Sequence, residues 1–176
     1  MQAIVRLILP LFLCTSSLVL ADASAFHEGP LIKGYGKIAT VSAAPTLPAG
    51  ELFKVAFDVA EPGAQGGINR SFDTVARFLN MHNAAGVPAS NIQLAVVVHG
   101  GAHRDLLDNA AHGGDNPNAE LVEQLVKHGV QLYLCGQTAA YYGVQADDLL
   151  PGAVLSLSAM TAHAQLQQRG YTLNPF

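Results

Sequence analysis

The segment Ile92-Gln93-Leu94-Ala95-Val96-Val97-Val98 constrains the fold more than any other part of the chain. A strand with one wetted face alternates apolar and polar side chains; a nearly unbroken apolar run needs cover on both faces. Parallel strands joined by helical crossovers supply that cover.

The flanking sequence alternates in the required way. Phe53, Val55, Phe57 and Val59 recur at period two, the mark of a strand. A turn over residues 61–67 follows, and Asn69 or Ser71 is placed to cap a helix. In that helix Phe72, Val75, Ala76 and Leu79 form one apolar stripe, closed by Gly86. Pro117 opens a second helix carrying Leu121, Val122, Leu125 and Val126, stopped by Gly129. Residues 130–134 read as a short buried strand and 153–157 as a fourth strand, with a short helix over 138–142 between them. Ser158 is set to cap a last helix ending at Gly170, with a tail over 171–176 beyond it. The expected architecture is α/β: a three-layer sandwich around a mostly parallel sheet, built from residues 51–176. Residues 26–50, with Gly34-Tyr35-Gly36, Pro45 and Pro48, read as an extended arm over that domain.

The first 25 residues read as a signal peptide rather than part of the fold. A positive start at Arg6 precedes an apolar run over residues 7–21, and Ala23-Ser24-Ala25 supplies small residues for cleavage. The run falls short of the roughly 20 residues that span a bilayer as a helix, so no membrane span is expected in the mature chain. Large apolar residues, not small ones, precede Cys14, which argues against lipidation. Cleavage near Ala25 exports the protein to the periplasm and removes one of its two Cys. Cys135 then has no intrachain partner, and a disulfide is excluded.

Nine Lys plus Arg against thirteen Asp plus Glu, with no basic run, excludes a nucleic-acid partner. There is no Walker loop and no G-x-G-x-x-G, and no cofactor is expected. Ser156 and Ser158 lack a nucleophile elbow. Asp147 and Asp148 are adjacent, so they point apart and form no glycosidase pair.

In open α/β sheets the chemistry gathers at the carboxyl ends of the strands. Cys135 falls there, ahead of Gly136-Gln137-Thr138 and a helix start. Free backbone N–H groups at a helix N-terminus favour a thiolate. Gly136, lacking a side chain, lets a reacting partner approach the sulfur. The plainer reading is a small buried hydrophobe. The loop His99-Gly100-Gly101 ends the preceding strand and is a candidate for substrate contact, as are Gln137, Asn69 and Arg70 at helix starts. A second reading makes His99, His103, His112 and Cys135 a copper or zinc set, although Gly100-Gly101 breaks the helical spacing between the first two His. Solvated loop histidines are the default for His99, His103 and His112. His163 reads as packed or exposed, and His82 and His128 sit at helix C-termini, where a cation is comfortable. The glycine loop over 63–67 has N–H groups for an anion, but a flexible turn explains it better.

Several ordered blocks resemble the DsrE/DsrF-like sulfur-relay family. They include Asn69-Arg70-Ser71, Val75-Ala76-Arg77-Phe78-Leu79-Asn80, Val96-Val97-Val98-His99-Gly100-Gly101 and Leu134-Cys135-Gly136-Gln137. Further on are Asp148-Leu149-Leu150-Pro151-Gly152, Leu157-Ser158-Ala159-Met160-Thr161 and Gly170-Tyr171-Thr172-Leu173-Asn174-Pro175-Phe176. The resemblance covers about residues 29–176 and is strongest to the exported branch. It implies a flavodoxin-like fold and homo-oligomers, often trimers or hexamers. For members with Cys at the end of the third strand, it also implies a cysteine that carries sulfane sulfur as a persulfide, exchanged with a donor or acceptor protein. Cys135 holds that position. The leading expectation is therefore a periplasmic sulfur carrier or transferase, with a metal-binding module or a structural subunit of the same fold as rivals.

Overall fold

A computed structural model describes residues 23–175; the leader expected over 1–25 lies almost wholly outside the described residues, and Cys14 with it. Two short strands, β1 (Phe26–His27) and β2 (Ile38–Ala39), pair antiparallel in the arm. The main sheet is built from β3 (Phe53–Val59), β4 (Ile92–Val98), β5 (Gln131–Cys135), β6 (Ala153–Ser156) and β7 (Thr172–Asn174). All of its neighbours run parallel, in the order β6-β5-β4-β3-β7. The helices between them are α1 (Arg70–Ala84), α2 (Asn109–His112), α3 (Ala119–Lys127), α4 (Gly136–Tyr142) and α5 (Ala159–Gln168).

Topology explains the layers. The chain steps in one direction from β3 to β6, and right-handed crossovers then put their helices on one face. α5 carries the chain back past the whole sheet to β7, beside β3, and so lies on the opposite face. The last strand, rather than the second as in flavodoxin, flanks the first strand of the sheet. The sequence reading has residues 171–176 as a tail; Thr172–Asn174 pair with Val55–Phe57 instead. Three residues are too few for a period to be read.

The two faces differ in thickness. On the first, Val55, Phe57, Leu94, Val96, Leu132 and Leu134 pack with Phe72, Val75 and Leu79 of α1 and Leu121 and Leu125 of α3. Burying each such side chain contributes about 1.5–3 kcal/mol. On the second, the smaller residues Ala56, Ala95 and Val97 meet Ala162 and Leu166 of α5, with Tyr133 and Tyr171 alongside. Residue parity in β3, β4 and β5 assigns alternate side chains to these two cores, as the apolar run of β4 demands.

Asn69 caps α1, accepting from Ser71 N–H at 2.8 Å. The arm is tied down by Asn80, fully buried on α1. Its Oδ1 accepts from the N–H groups of Leu31 and Ile32, and its Nδ2 donates to the carbonyls of Ile32, Tyr35 and Gly36. Ile32 is thereby held in the main core.

Candidate functional site

Cys135 ends β5 and immediately precedes α4, with extended backbone at φ −60°, ψ 117°. The residue is 6% exposed and its thiol is free. Burial pushes the thiol pKa up, but hydrogen bonds to the sulfur outweigh it and hold it below the ordinary thiol value. The donors are the backbone N–H groups of Thr138, Ala159 and Gln137 and the Thr138 hydroxyl. Two come from the first turn of α4 and one from the first residue of α5, so two helix N-termini converge on one sulfur. The expected single helix terminus is in fact a pair.

The neighbouring loop fixes the direction of the Thr138 hydroxyl. Gly100 N–H donates to Thr138 Oγ1 at 3.1 Å. With a lone pair so occupied, the hydroxyl proton is turned toward the sulfur. Gly100 sits at φ +55°, a backbone region that favours glycine. His99 and Gly100 thus adjoin the Cys135 surroundings, and Gly101 continues that loop against Pro62.

Gly136 has a different reason for being glycine than the sequence suggests. A Cβ there would run into the Ser156 carbonyl oxygen and crowd that of Leu157. Glycine is required by the approach of β6, not by room for a reacting partner. Gln137 Nε2 donates to the Leu157 carbonyl at 3.2 Å, fastening the same strand end. Ser156 Oγ is engaged with the Leu134 and Ser158 carbonyls.

Asn69 and Arg70 do not join this group. Asn69 is buried at 2% exposure; its amide donates to Asp105 and to the Glu61 carbonyl, and its backbone N–H donates to Asn118. Its polar atoms are spent on holding the loop ahead of α1. Arg70 lines a crevice with Asp73, Arg77 and Tyr35. Gly63 N–H of the glycine loop donates to the buried Asp105 side chain, so the protein's own acceptor occupies it.

The proposed His/Cys metal set is also dispersed. His103, expected in solvent, is buried: Nδ1 bonds the Gly100 carbonyl at 2.9 Å, and the ring stacks on Tyr142 at 4.0 Å. His112 ends α2 and bonds the Gly114 carbonyl. Among the described residues no group of three or more His, Cys, Asp or Glu is arranged to hold a metal ion. His82 lies in the last turn of α1, as the sequence placed it, but is packed rather than solvated there. Its ring stacks on Phe78 and meets Phe53 edge-on, and burial holds its pKa below the ordinary imidazole value against an opposing bond to the Phe78 carbonyl.

Three residues outside the predicted set complete the neighbourhood. Thr138 is one. Asp58, the polar residue near the carboxyl end of β3, accepts from His99 Nε2 at 3.1 Å and from His163 Nε2 at 2.7 Å. Burial raises the Asp58 pKa, and these two histidine bonds more than reverse it, leaving it below the usual carboxylate range. A single Asp at a strand's carboxyl end was the available signal; its partner on α5 lies 105 residues away and leaves no local trace.

Nearby surface is apolar and open. Tyr141, Tyr142, Val154, Leu155, Leu157 and Met160 are all exposed on α4, edge strand β6, the turn after it and the start of α5. A cavity of about 470 Å³ lies elsewhere, between α3 and the turn at Leu150, Pro151 and Gly152. No helix among the described residues is long and apolar enough to cross a membrane.

Known proteins agree with this architecture. The protein of unknown function MTH1491 from Methanobacterium thermoautotrophicum aligns with a TM-score of 0.51 at 21% identity, over 69% of this chain and 97% of its own. The ychN protein from E. coli aligns with a TM-score of 0.53 at 16% identity, over the same shares, 69% and 97%. At such identities the likeness speaks for the fold. No curated protein matches the chain. The model of the DsrE/DsrF-like family matches residues 54–175, from β3 through β7 and including Cys135, and the chain belongs to that family.

Proposed function

We propose that the protein is an exported carrier or transferase of sulfane sulfur, acting through Cys135. The observation that carries this reading is the set of neutral donors that two helix starts aim at the sulfur, which holds the thiol pKa below its ordinary value and so raises the thiolate fraction. In the proposed reaction the Cys135 thiolate attacks the outer sulfur of a donor persulfide. An S–S bond forms at Sγ as the donor's S–S bond breaks, and the electron pair leaves with the donor thiolate. An acceptor thiolate then attacks the terminal sulfur of the Cys135 persulfide, and Cys135 departs as a thiolate held by the same donors. Neither step needs an external oxidant.

The apolar surface around the thiol supports self-association or docking of a donor or acceptor protein; trimers or hexamers are the expected assemblies. The leader-like residues 1–25 support a periplasmic location. The experiment is intact-mass analysis of purified protein treated with polysulfide. The expected product is a gain of about 32 Da per persulfide, absent from Cys135→Ser. A folded wild-type chain that takes up no sulfur, or a Cys135→Ser chain that takes up as much, overturns the reading.

A further inference from the structure

Resting on the sulfur-carrier reading, we propose that His99, oriented by Asp58, is the proton acceptor for the Cys135 thiol and the proton donor to the departing thiol. The placement follows from sheet register. Val98 of β4 pairs with Leu134 of β5, so the next residues, His99 and Cys135, lie side by side at one neighbouring-strand spacing, about 4.8 Å. His99 is still extended, at φ −151° and ψ −178°, and its N–H donates to the Val59 carbonyl at 2.9 Å.

All three side chains belong to the same face. Ala56, Val97 and Tyr133 face α5, and Asp58, His99 and Cys135 each follow one of these by two residues. The carboxyl edge of the sheet therefore presents Asp58, His99 and Cys135 in order across β3, β4 and β5. α5 roofs this row. Its Ala159 N–H meets the sulfur, and His163, one turn on, bonds Asp58.

The ring of His99 makes one hydrogen bond, from Nε2 to Asp58 Oδ2. An ionised Asp58 accepts there, so Nε2 carries the proton and Nδ1 carries the lone pair. This is the division of labour by which a carboxylate sets the tautomer of a catalytic imidazole. The thiol proton passes to Nδ1, and the S–H electron pair stays on sulfur. After attack on a donor persulfide, the imidazolium returns that proton to the donor thiolate, and His99 is regenerated neutral. The titratable groups facing His99 are Asp58 from β3, Cys135 from β5 and, through Asp58, His163 from α5. His103, in the following loop, is turned onto Tyr142.

The test is the pH profile of Cys135 alkylation by iodoacetamide in the full chain, beside His99→Gln, Asp58→Asn and His163→Gln. His99→Gln is expected to slow alkylation near pH 6 by about tenfold and to change the shape of the acidic limb of the profile. Asp58→Asn should do so less strongly and His163→Gln least, and added imidazole should restore part of the His99→Gln rate. A His99→Gln profile superimposable on wild type, with both proteins folded by circular dichroism, overturns the proposal. Sulfur loading of the same samples by polysulfide separates the two readings. Loading with an unchanged His99→Gln profile refutes His99 alone. A His99-dependent profile with no loading refutes sulfur carriage and leaves the proton pair standing.

Discussion

Thr138→Val tests whether hydrogen bonding, rather than exposure or a cation, sets the reactivity of Cys135. The substitution keeps the side-chain shape and the backbone N–H, and removes the hydroxyl that donates to Sγ and accepts from Gly100 N–H. A hydrogen bond to a charged group is worth about 1.5–3 kcal/mol. At 1.36 kcal/mol per pKa unit, the Cys135 pKa should rise by about one to two. Below the thiol pKa the thiolate fraction then falls about ten- to a hundredfold. The surviving thiolate is the more basic nucleophile, with a Brønsted coefficient of about 0.4–0.5, so the net alkylation rate falls by only about three- to fifteenfold. Above both pKa values the order inverts and the variant reacts faster. Rates of iodoacetamide alkylation from about pH 5 to about pH 10 read both the midpoint and the crossing. Stability gives a second readout. A thiol whose folded pKa is depressed contributes stability that is present above the unfolded value, about 8.5, and is lost as pH falls through the folded value. That pH-dependent contribution should shrink in Thr138→Val. An unchanged midpoint, with Gly100 still in place, would refute the account of the sulfur's environment.

Gly136→Ala forces a methyl group into the Ser156 and Leu157 carbonyls, so β6 must shift; a loss of about 1–3 kcal/mol is expected from urea unfolding, and an unchanged midpoint would contradict it. Asn80→Ala deprives the Leu31 and Ile32 N–H groups of their acceptor. It should cost at least about 2 kcal/mol and open residues 31–36 to limited proteolysis. His82 has a folded pKa below its unfolded value of about 6.5, so its contribution is present above that value and fades as pH falls below it. His82→Gln should flatten the decline of thermal stability over that acidic range, at some cost in packing against Phe53 and Phe78.

The parts of the fold legible in the sequence are those with a long period. The apolar stripe of α1, Phe72, Val75, Ala76 and Leu79, is wholly buried where the spacing put it. The run of β4 is central and covered on both sides. β7 escaped because its three residues are mostly exposed and are held by pairing with β3, a partner more than a hundred residues distant. Within the site, Cys135 was legible from the strand-to-helix change around it. His99 was legible as a loop residue but not as the partner of Asp58. His103 was misjudged because nothing local signals that Tyr142 will stack on it. Asn69 was read as a binding residue; its amide and carbonyl oxygen are consumed by Asp105, Glu61 and Ser71.

The sparse charge of the chain, 12% of residues, bears directly on how this site works. No Lys or Arg is among the groups that bind the sulfur; its partners are three amides and one hydroxyl. Such dipoles stabilise the thiolate whether or not a neighbouring group carries a positive charge. They also persist when Cys135 becomes a leaving group, because they are fixed by α4, α5 and the Gly100 contact rather than by mobile side chains. Desolvation alone would push a 6%-exposed thiol toward the neutral form. The convergence of two helix starts reverses that tendency, and it exists only because β6 passes close enough to Gly136 to bring the start of α5 over the sulfur. The topology that sends α5 back across the sheet to β7 is thus also what places the donor over the thiol and His163 over Asp58.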